Sequence, residues 1–213
     1  MPTLVIAGSK GGCGKSTLSA CLAVEAARTA RVGLLDLDPQ GSIAGWWQRR
    51  NQPNPSLIED DDILADAQRR VRLGFELIVV DTPPALMTVI EGAIAAADMV
   101  LVPCRPSALD VMAIDPAVDL CRMLAKPFAF VLTDAEPRWK ATESALAALR
   151  AEGRVLAASM THRAAYLAAM TTGRTGPESA DGKGAAACRE EIEAIWRETQ
   201  TLLAPAQRTR ARV

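Results

Sequence analysis

Three short segments carry side chains that suit the binding and cleavage of a phosphorylated ligand. The first, residues 10–17, reads Lys-Gly-Gly-Cys-Gly-Lys-Ser-Thr between an apolar run and a helix-like run. The backbone N–H groups of a glycine loop at a helix N-terminus converge on an anion, and the helix dipole favours its negative charge. We therefore predict that Lys15 contacts the β- and γ-phosphates of a nucleotide and that the Ser16 hydroxyl ligates Mg²⁺.

The other two segments are apolar runs that end in carboxylates. One carries Asp36 and Asp38, followed by Pro-Gln-Gly, and the other ends at Asp81, followed by Thr-Pro-Pro. Because the carboxyl ends of parallel strands form the ligand side of an open α/β sheet, these aspartates are candidates for the same site. Asp81 has the Walker B arrangement, and we expect it to hold Mg²⁺ through water opposite Ser16. A charged loop without chemistry is the alternative interpretation of Asp36 and Asp38.

Strand-like and helix-like segments alternate along the chain, and this order favours a three-layer α/β fold. We predict a doubly wound, mostly parallel sheet flanked by helices. Residues 1–205 are expected to form one domain, and 206–213 a flexible basic tail. The predicted helices span 16–29, 42–50, 63–73, 88–96, 140–151 and 185–203, and a short strand is predicted at 154–157.

The glycine loop departs from the ordinary Walker A pattern, since Ser9 stands where that pattern has glycine and Lys10 opens the loop. Lys-Gly-Gly-x-Gly-Lys-Ser/Thr resembles the deviant Walker A loop of the ParA/MinD family of P-loop ATPases, and the run from Asp36 to Gly41 also resembles that family. The resemblance implies that Lys10 crosses a dimer interface to the partner's nucleotide and that Asp38 positions or activates the attacking water. It also implies that Asp36 binds Mg²⁺ through water or helps to hold the switch segment.

On this resemblance the catalytic residues are Lys10, Lys15 and Asp38. Magnesium would be held by Ser16, Asp36 and Asp81. The ATP contacts would come from the whole loop, namely Lys10, Gly11, Gly12, Cys13, Gly14, Lys15, Ser16 and Thr17. Many relatives end a later strand with an asparagine that helps to read adenine, whereas this chain has Thr133 and Asp134 there, so the resemblance does not carry over the adenine contacts.

The short length makes the chain similar to the small ParA-type, ParF-like partition ATPases. These relatives use ATP and Mg²⁺, form a homodimer in the ATP state and bind DNA without sequence preference. A ParB/ParG-like or other cargo adaptor then stimulates hydrolysis, and the cargo is a plasmid, a chromosome region or a protein body. The resemblance implies a cytoplasmic, nucleoid-associated protein with slow ATP hydrolysis in the absence of its adaptor.

A net charge of −1 means that any DNA binding must come from a local basic patch. The candidates are Arg150, Arg154, Arg174, Lys183, Arg189, Arg197 and the segment Arg208–Arg212. A solvated surface without a partner is the alternative for each of these residues.

Two rival functions remain at this stage. A MinD-like membrane ATPase would end in an amphipathic helix with bulky apolar residues on one face and lysines on the other, and the C-terminal segment lacks this pattern. No run in the sequence approaches the roughly 18 apolar residues of a membrane span. We therefore expect no membrane partner.

The second rival is a metabolic enzyme of the same superfamily, which would need a set of cysteines that bridges a metal cluster or a second substrate pocket. The five cysteines (Cys13, Cys21, Cys104, Cys121 and Cys188) are scattered without C-x-x-C spacing.

Overall fold

A parallel sheet forms the centre of the computed structural model, which describes residues 1–59, 61–64, 73–136, 138–180 and 182–210. Its six strands have the order β3-β2-β4-β1-β5-β6, and all neighbouring pairs are parallel. The strands are β1 (Thr3–Ile6), β2 (Val32–Asp36), β3 (Ser56–Ile58), β4 (Leu77–Asp81), β5 (Met99–Cys104) and β6 (Phe128–Leu132). The predicted doubly wound parallel sheet is confirmed.

Helices cover both faces of this sheet and complete the three layers. They are α1 (Lys15–Ala26), α2 (Ser42–Arg50), α3 (Met87–Ala96), α4 (Ala108–Met112), α5 (Asp115–Met123), α6 (Lys140–Glu152), α7 (Ala164–Met170) and α8 (Gly182–Arg210), with 3₁₀ turns at Asp61–Leu64 and Gly176–Glu178. One apolar core joins α1, α2, α7 and α8 to the sheet, and a second joins α3, α5 and α6 to its other face. β1, β4 and β5 are buried throughout, as strands covered on both faces must be.

Some boundaries differ from the predicted ones. The strand predicted at 154–157 forms only a bridge between Val155 and Phe130. The Leu156 amide still donates to the Phe130 carbonyl at 2.9 Å, but the amides of Ala157 and Ala158 donate to the carboxylate of Glu198, both at 2.9 Å, and the pairing with β6 ends there. α8 begins at Gly182 and ends at Arg210, beyond the predicted range of 185–203. Most of the helix predicted at 63–73 lies outside the described residues, as do 211–213. The division into a domain (1–205) and a tail (206–213) stays a prediction.

The register of the strands brings the predicted site residues to one edge of the sheet. Asp81 at the end of β4 is level with Ile6 at the end of β1 on one side and with Asp36 at the end of β2 on the other. The glycine loop follows β1 directly, so it lies between the carboxylates and β5. The topology therefore places the loop and both carboxylate-ended strands side by side, as the sequence predicted.

Candidate nucleotide-binding site

The loop between β1 and α1 has the backbone shape of a phosphate cradle. Gly12 and Gly14 adopt positive φ angles of 74° and 87°, a region that L side chains rarely enter. A Cβ at Gly14 would also lie 3.5 Å from the Thr133 side chain. Gly14 immediately precedes α1, and within the described part of the chain nothing lies within 4 Å of a Cβ built on Gly11 or Gly12. The backbone shape at Gly12 and Gly14 thus favours glycine, and the loop passes directly into the N-terminus of α1.

The two lysines of the loop have different surroundings. Lys15 is 6% exposed, and its Nζ donates to the backbone carbonyl of Lys10 at 2.9 Å. The Nζ of Lys10 instead forms an ion pair with Asp110 Oδ2 at 3.0 Å. Lys15 therefore lies inside the loop, whereas the Lys10 side chain is paired with α4 of its own chain.

Asp81 is fully buried at the end of β4 and is held by two hydroxyl groups of α1. Ser16 Oγ donates to Oδ2 at 2.6 Å, and Ser19 Oγ donates to Oδ1 at 2.8 Å. Burial raises the pKa of Asp81 to about 7, although the two hydroxyl donors act in the opposite direction. A hydroxyl and a buried carboxylate beside a phosphate cradle are a donor set that fits Mg²⁺, whose charge would favour the ionised aspartate.

Asp36 is the last residue of β2, and Asp38 lies on the segment between β2 and α2. Asp36 Oδ1 accepts from the amide of Asp38 at 3.1 Å, and its Oδ2 accepts from the amides of Ile43 and Ala44, both at 2.9 Å. Burial raises the pKa of Asp36 above its ordinary value, against these three amide donors. Asp38 is half-buried, and its Oδ1 accepts from the amide of Gln40 at 3.0 Å. Asp36 thus fixes the segment that carries Asp38, and its role towards Mg²⁺ or a switch segment stays a prediction.

A cavity of about 110 Å³ adjoins the glycine loop on the side of β6 and α7. Thr133 closes one wall, and its hydroxyl donates to the carbonyl of Cys13 at 2.8 Å. Arg163 lines the opposite side and is held by Glu191 Oε1 at 2.9 and 2.7 Å. The remaining lining residues are Gly12, Gly14, Thr17, Arg105, Asp134, Met160, Thr161, Tyr166 and Leu167. A cavity continuous with a phosphate cradle is the space in which the rest of a nucleotide can lie.

A profile described as the CobQ/CobB/MinD/ParA nucleotide-binding domain matches residues 4–175, which include the loop, the carboxylate-ended strands and most of the cavity lining. The chain belongs to this family. The resemblance drawn from residues 10–17 and from the run Asp36–Gly41 is therefore confirmed, and the family is one of nucleotide-binding ATPases.

Individual ParA/MinD relatives agree with this assignment. The chain is 31% identical over 182 residues to the maintenance of carboxysome distribution protein A of Halothiobacillus neapolitanus, covering 80% of this chain and 84% of that protein. An ATP complex of a Cyanothece McdA variant matches with a TM-score of 0.72 at 20% identity, covering 92% of this chain and 96% of that one. The MinC–MinD complex of Aquifex aeolicus matches with a TM-score of 0.74 at 15% identity, covering 94% and 96%. At these identities the two structures establish the shared fold.

Sequence reasoning missed several residues that shape this ParA/MinD-type site. Ser19 follows Ser16 at the helical spacing that places both hydroxyls on one face of α1, and this spacing was an available signal. Ser107 caps α4 by accepting from the amide of Asp110 at 3.1 Å, but the ion pair between Asp110 and Lys10 joins residues that are remote in sequence and has no local signal. Glu191, which fixes Arg163, is equally remote in sequence.

The His162 side chain lies at the surface of the protein. Its Nδ1 pairs with Asp134 Oδ1 at an exposed position beside the cavity, and this pairing raises the pKa of the imidazole.

The structure also bears on the alternative of a membrane-associated ATPase in one respect. In the ranges that the structure describes, no helix combines the length and the hydropathy needed to cross a bilayer.

Proposed function

We propose that this chain is a ParA-type ATPase that binds Mg–ATP, dimerises around the nucleotides, binds DNA non-specifically and positions a cargo. The observation that carries this proposal is the different placement of the two loop lysines. Lys15 already lies inside the loop, where it can serve the chain's own nucleotide, while Lys10 is paired with Asp110 outside it. A second cation at the edge of the loop suits a role towards the nucleotide of another subunit.

The chemistry asks mainly for positioning and for neutralised charge, as phosphoryl transfer does in general. The loop amides would bind the phosphates, and Lys15 would exchange its contact with the Lys10 carbonyl for the phosphate oxygens. Asp38 would orient the attacking water. Ser16 and Asp81, with Asp36 close by, would hold Mg²⁺, which would supply positive charge beside the phosphates. The partner's Lys10 would add a further charge, and hydrolysis would therefore depend on dimerisation.

Exposed apolar side chains around the loop support the dimer. Leu86, Leu109, Met112 and Trp139 are 45%, 73%, 72% and 60% exposed. They lie just before or within α3, α4 and α6, the helices that follow β4, β5 and β6 at the edge of the sheet that holds the loop. Large apolar groups gathered on one exposed edge are typical of an interaction surface. A second copy bound there would cover them and bring its own Lys10 to the facing nucleotide.

Non-specific DNA binding is proposed from exposed cations, since the overall charge of −1 supplies no attraction. The six predicted cations that the structure describes are all exposed, namely Arg150, Arg154, Arg174, Lys183, Arg189 and Arg197. Dimerisation would double their number on one particle. DNA binding would then follow the ATP state, and the protein would be cytoplasmic and associated with the nucleoid.

The cargo is proposed from the relatives alone. The identity to the carboxysome distribution protein of Halothiobacillus neapolitanus favours a protein body over a plasmid as the cargo. A separate adaptor protein bound to that cargo would stimulate hydrolysis and release the dimer from DNA.

The dimer is tested by sedimentation velocity without nucleotide, with ADP, and with a non-hydrolysable ATP analogue plus Mg²⁺. We expect a dimer only with the ATP analogue. Lys10→Ala should bind the analogue and stay monomeric, whereas Lys15→Ala should lose nucleotide binding itself, as a direct titration would show. A wild-type protein that stays monomeric with the analogue, or a Lys10→Ala variant that dimerises like the wild type, would contradict the proposal.

A further inference from the structure

The carboxylate of Asp110 is the centre of a small polar cluster on α4. Its side chain is 4% exposed, and it forms ion pairs with Lys10 Nζ at 3.0 Å and with Arg105 Nε at 3.2 Å. The hydroxyl of Ser107 donates to the same carboxylate oxygen that Lys10 contacts. Although burial opposes it, the hydrogen bonds from Ser107, Lys10 and Arg105 hold the pKa of Asp110 below its ordinary value. The group is therefore a charged acceptor that two cations share.

A second contact fastens the glycine loop to the same helix. The hydroxyl of Ser9 donates to the backbone carbonyl of Ala113, the residue that follows α4. Lys10 is thus restrained through its side chain by Asp110 and through its neighbour by Ala113, and its carbonyl accepts Lys15. These contacts hold both loop lysines against their own subunit.

We propose that Asp110 is a positioning residue that stores the Lys10 side chain on its own subunit until the nucleotide of a second subunit competes for it. This inference rests on the proposed ATP-dependent dimer. Lys10 cannot contact Asp110 and a phosphate of the partner's nucleotide at the same time, so dimerisation must break the ion pair. Asp110 therefore opposes the dimer.

Arg105 and Ser107 make this exchange possible without leaving a buried charge unpaired. When Lys10 leaves, the carboxylate of Asp110 keeps the Arg105 guanidinium and the Ser107 hydroxyl. Removing one member of a buried pair is strongly unfavourable when the other is left alone, and here it is not left alone. Releasing Lys10 from Asp110 therefore costs little free energy, and a contact between Lys10 and a phosphate can offset that cost.

The test compares substitutions that separate the charge of Asp110 from its role as part of the helix cap. Asp110→Asn removes the charge that holds Lys10, so the dissociation constant of the dimer with the ATP analogue should fall about threefold to fivefold, the size expected for one partly exposed ion pair. Ser107→Ala removes the cap hydroxyl but keeps the carboxylate, and its dimer should be no tighter than the wild-type dimer. Asp110→Glu restores a carboxylate and should return the constant towards the wild-type value.

Sedimentation equilibrium at saturating analogue gives the dissociation constants, and thermal unfolding of each variant shows that it folds. An Asp110→Asn dimer equal to or weaker than the wild-type dimer would overturn the inference, as would a Ser107→Ala dimer that is tightened as strongly as the Asp110→Asn dimer. A wild-type protein that forms no dimer at all would instead overturn the proposed function, so the two failures are distinguishable.

Discussion

At the scale of single residues, Asp81 has the most unusual environment in the site. It is fully buried, which opposes ionisation, yet the proposed Mg²⁺ site requires an ionised carboxylate at this position. Two hydroxyl donors, Ser16 and Ser19, satisfy its oxygens without neutralising them. The protein therefore keeps an energetically unfavourable carboxylate at the position where a cation would relieve it.

This environment predicts a pH dependence of the ligand-free protein. The folded-state pKa of Asp81 is about 7 against an ordinary value of 3.8, so between these values the folded protein holds a proton that the unfolded chain releases. The contribution of Asp81 to the free energy of unfolding should therefore be present at low pH and be lost as the pH rises through 7. Asp81→Asn removes this titration. Urea unfolding of both proteins at about pH 4.5 and about pH 7.5 measures the difference.

The expected result is that the wild type loses stability relative to Asp81→Asn between the two conditions. A constant difference between the two proteins would show that the folded and unfolded states bind the Asp81 proton equally, and it would contradict the account of this residue.

Local spacing made the loop and the carboxylates predictable, because each of their roles depends on neighbours in sequence. Lys15 and Ser16 follow the loop glycines directly, and Asp81 ends an apolar strand. The partners of these groups were not predictable in the same way. The pairing of Lys10 with Asp110 depends on how α4 packs beside the loop, and a single sequence does not predict that packing.

At the scale of elements, α2 is anchored at both ends and links two distant loops. Asp36 accepts its first amides, and at its other end the buried Arg50 donates to both carboxylate oxygens of Glu178 at 2.8 and 2.9 Å. The guanidinium of Arg50 also lies 5.2 Å from the ring centroid of Trp46. The sequence predicted α2, and in the structure its Trp46 is fully buried. The sequence did not predict the anchor, because Arg50 and Glu178 are far apart in sequence and meet only in the folded chain.

The anchor predicts a specific loss of stability. Glu178→Gln leaves the Arg50 guanidinium buried without its counter-charge, so the free energy of unfolding should fall by about 2 kcal/mol, a value below the full range for buried pairs because Glu178 is partly exposed. Glu152→Gln is the matched control, since Glu152 pairs with Arg122 at the surface at 2.8 Å. The control should cost less than about 1 kcal/mol. Equal losses for the two variants in urea unfolding would contradict the assigned role of Glu178.

At the scale of the whole molecule, the parallel sheet places the glycine loop and the carboxylates of the candidate site at one edge. The outer faces of the two helical layers lie away from that edge. The alternation of strands and helices predicted this architecture, whereas the strand order β3-β2-β4-β1-β5-β6 requires contacts that no local pattern encodes. The proposed DNA-binding cations lie on α6, on α8 and in the segments beside them, interleaved with carboxylates such as Glu190 and Glu193. A single subunit therefore presents a weak basic surface, and the proposed dimer would double it.

The most direct test of the account is the binding of random-sequence duplex DNA, measured by fluorescence anisotropy without nucleotide, with ADP and with a non-hydrolysable ATP analogue. We expect binding mainly with the analogue, a steep loss of affinity as salt increases, and little binding by Lys10→Ala under any condition. Binding that is the same in all three nucleotide states, or the absence of binding in every state, would contradict the proposal that ATP-dependent dimerisation places this protein on DNA.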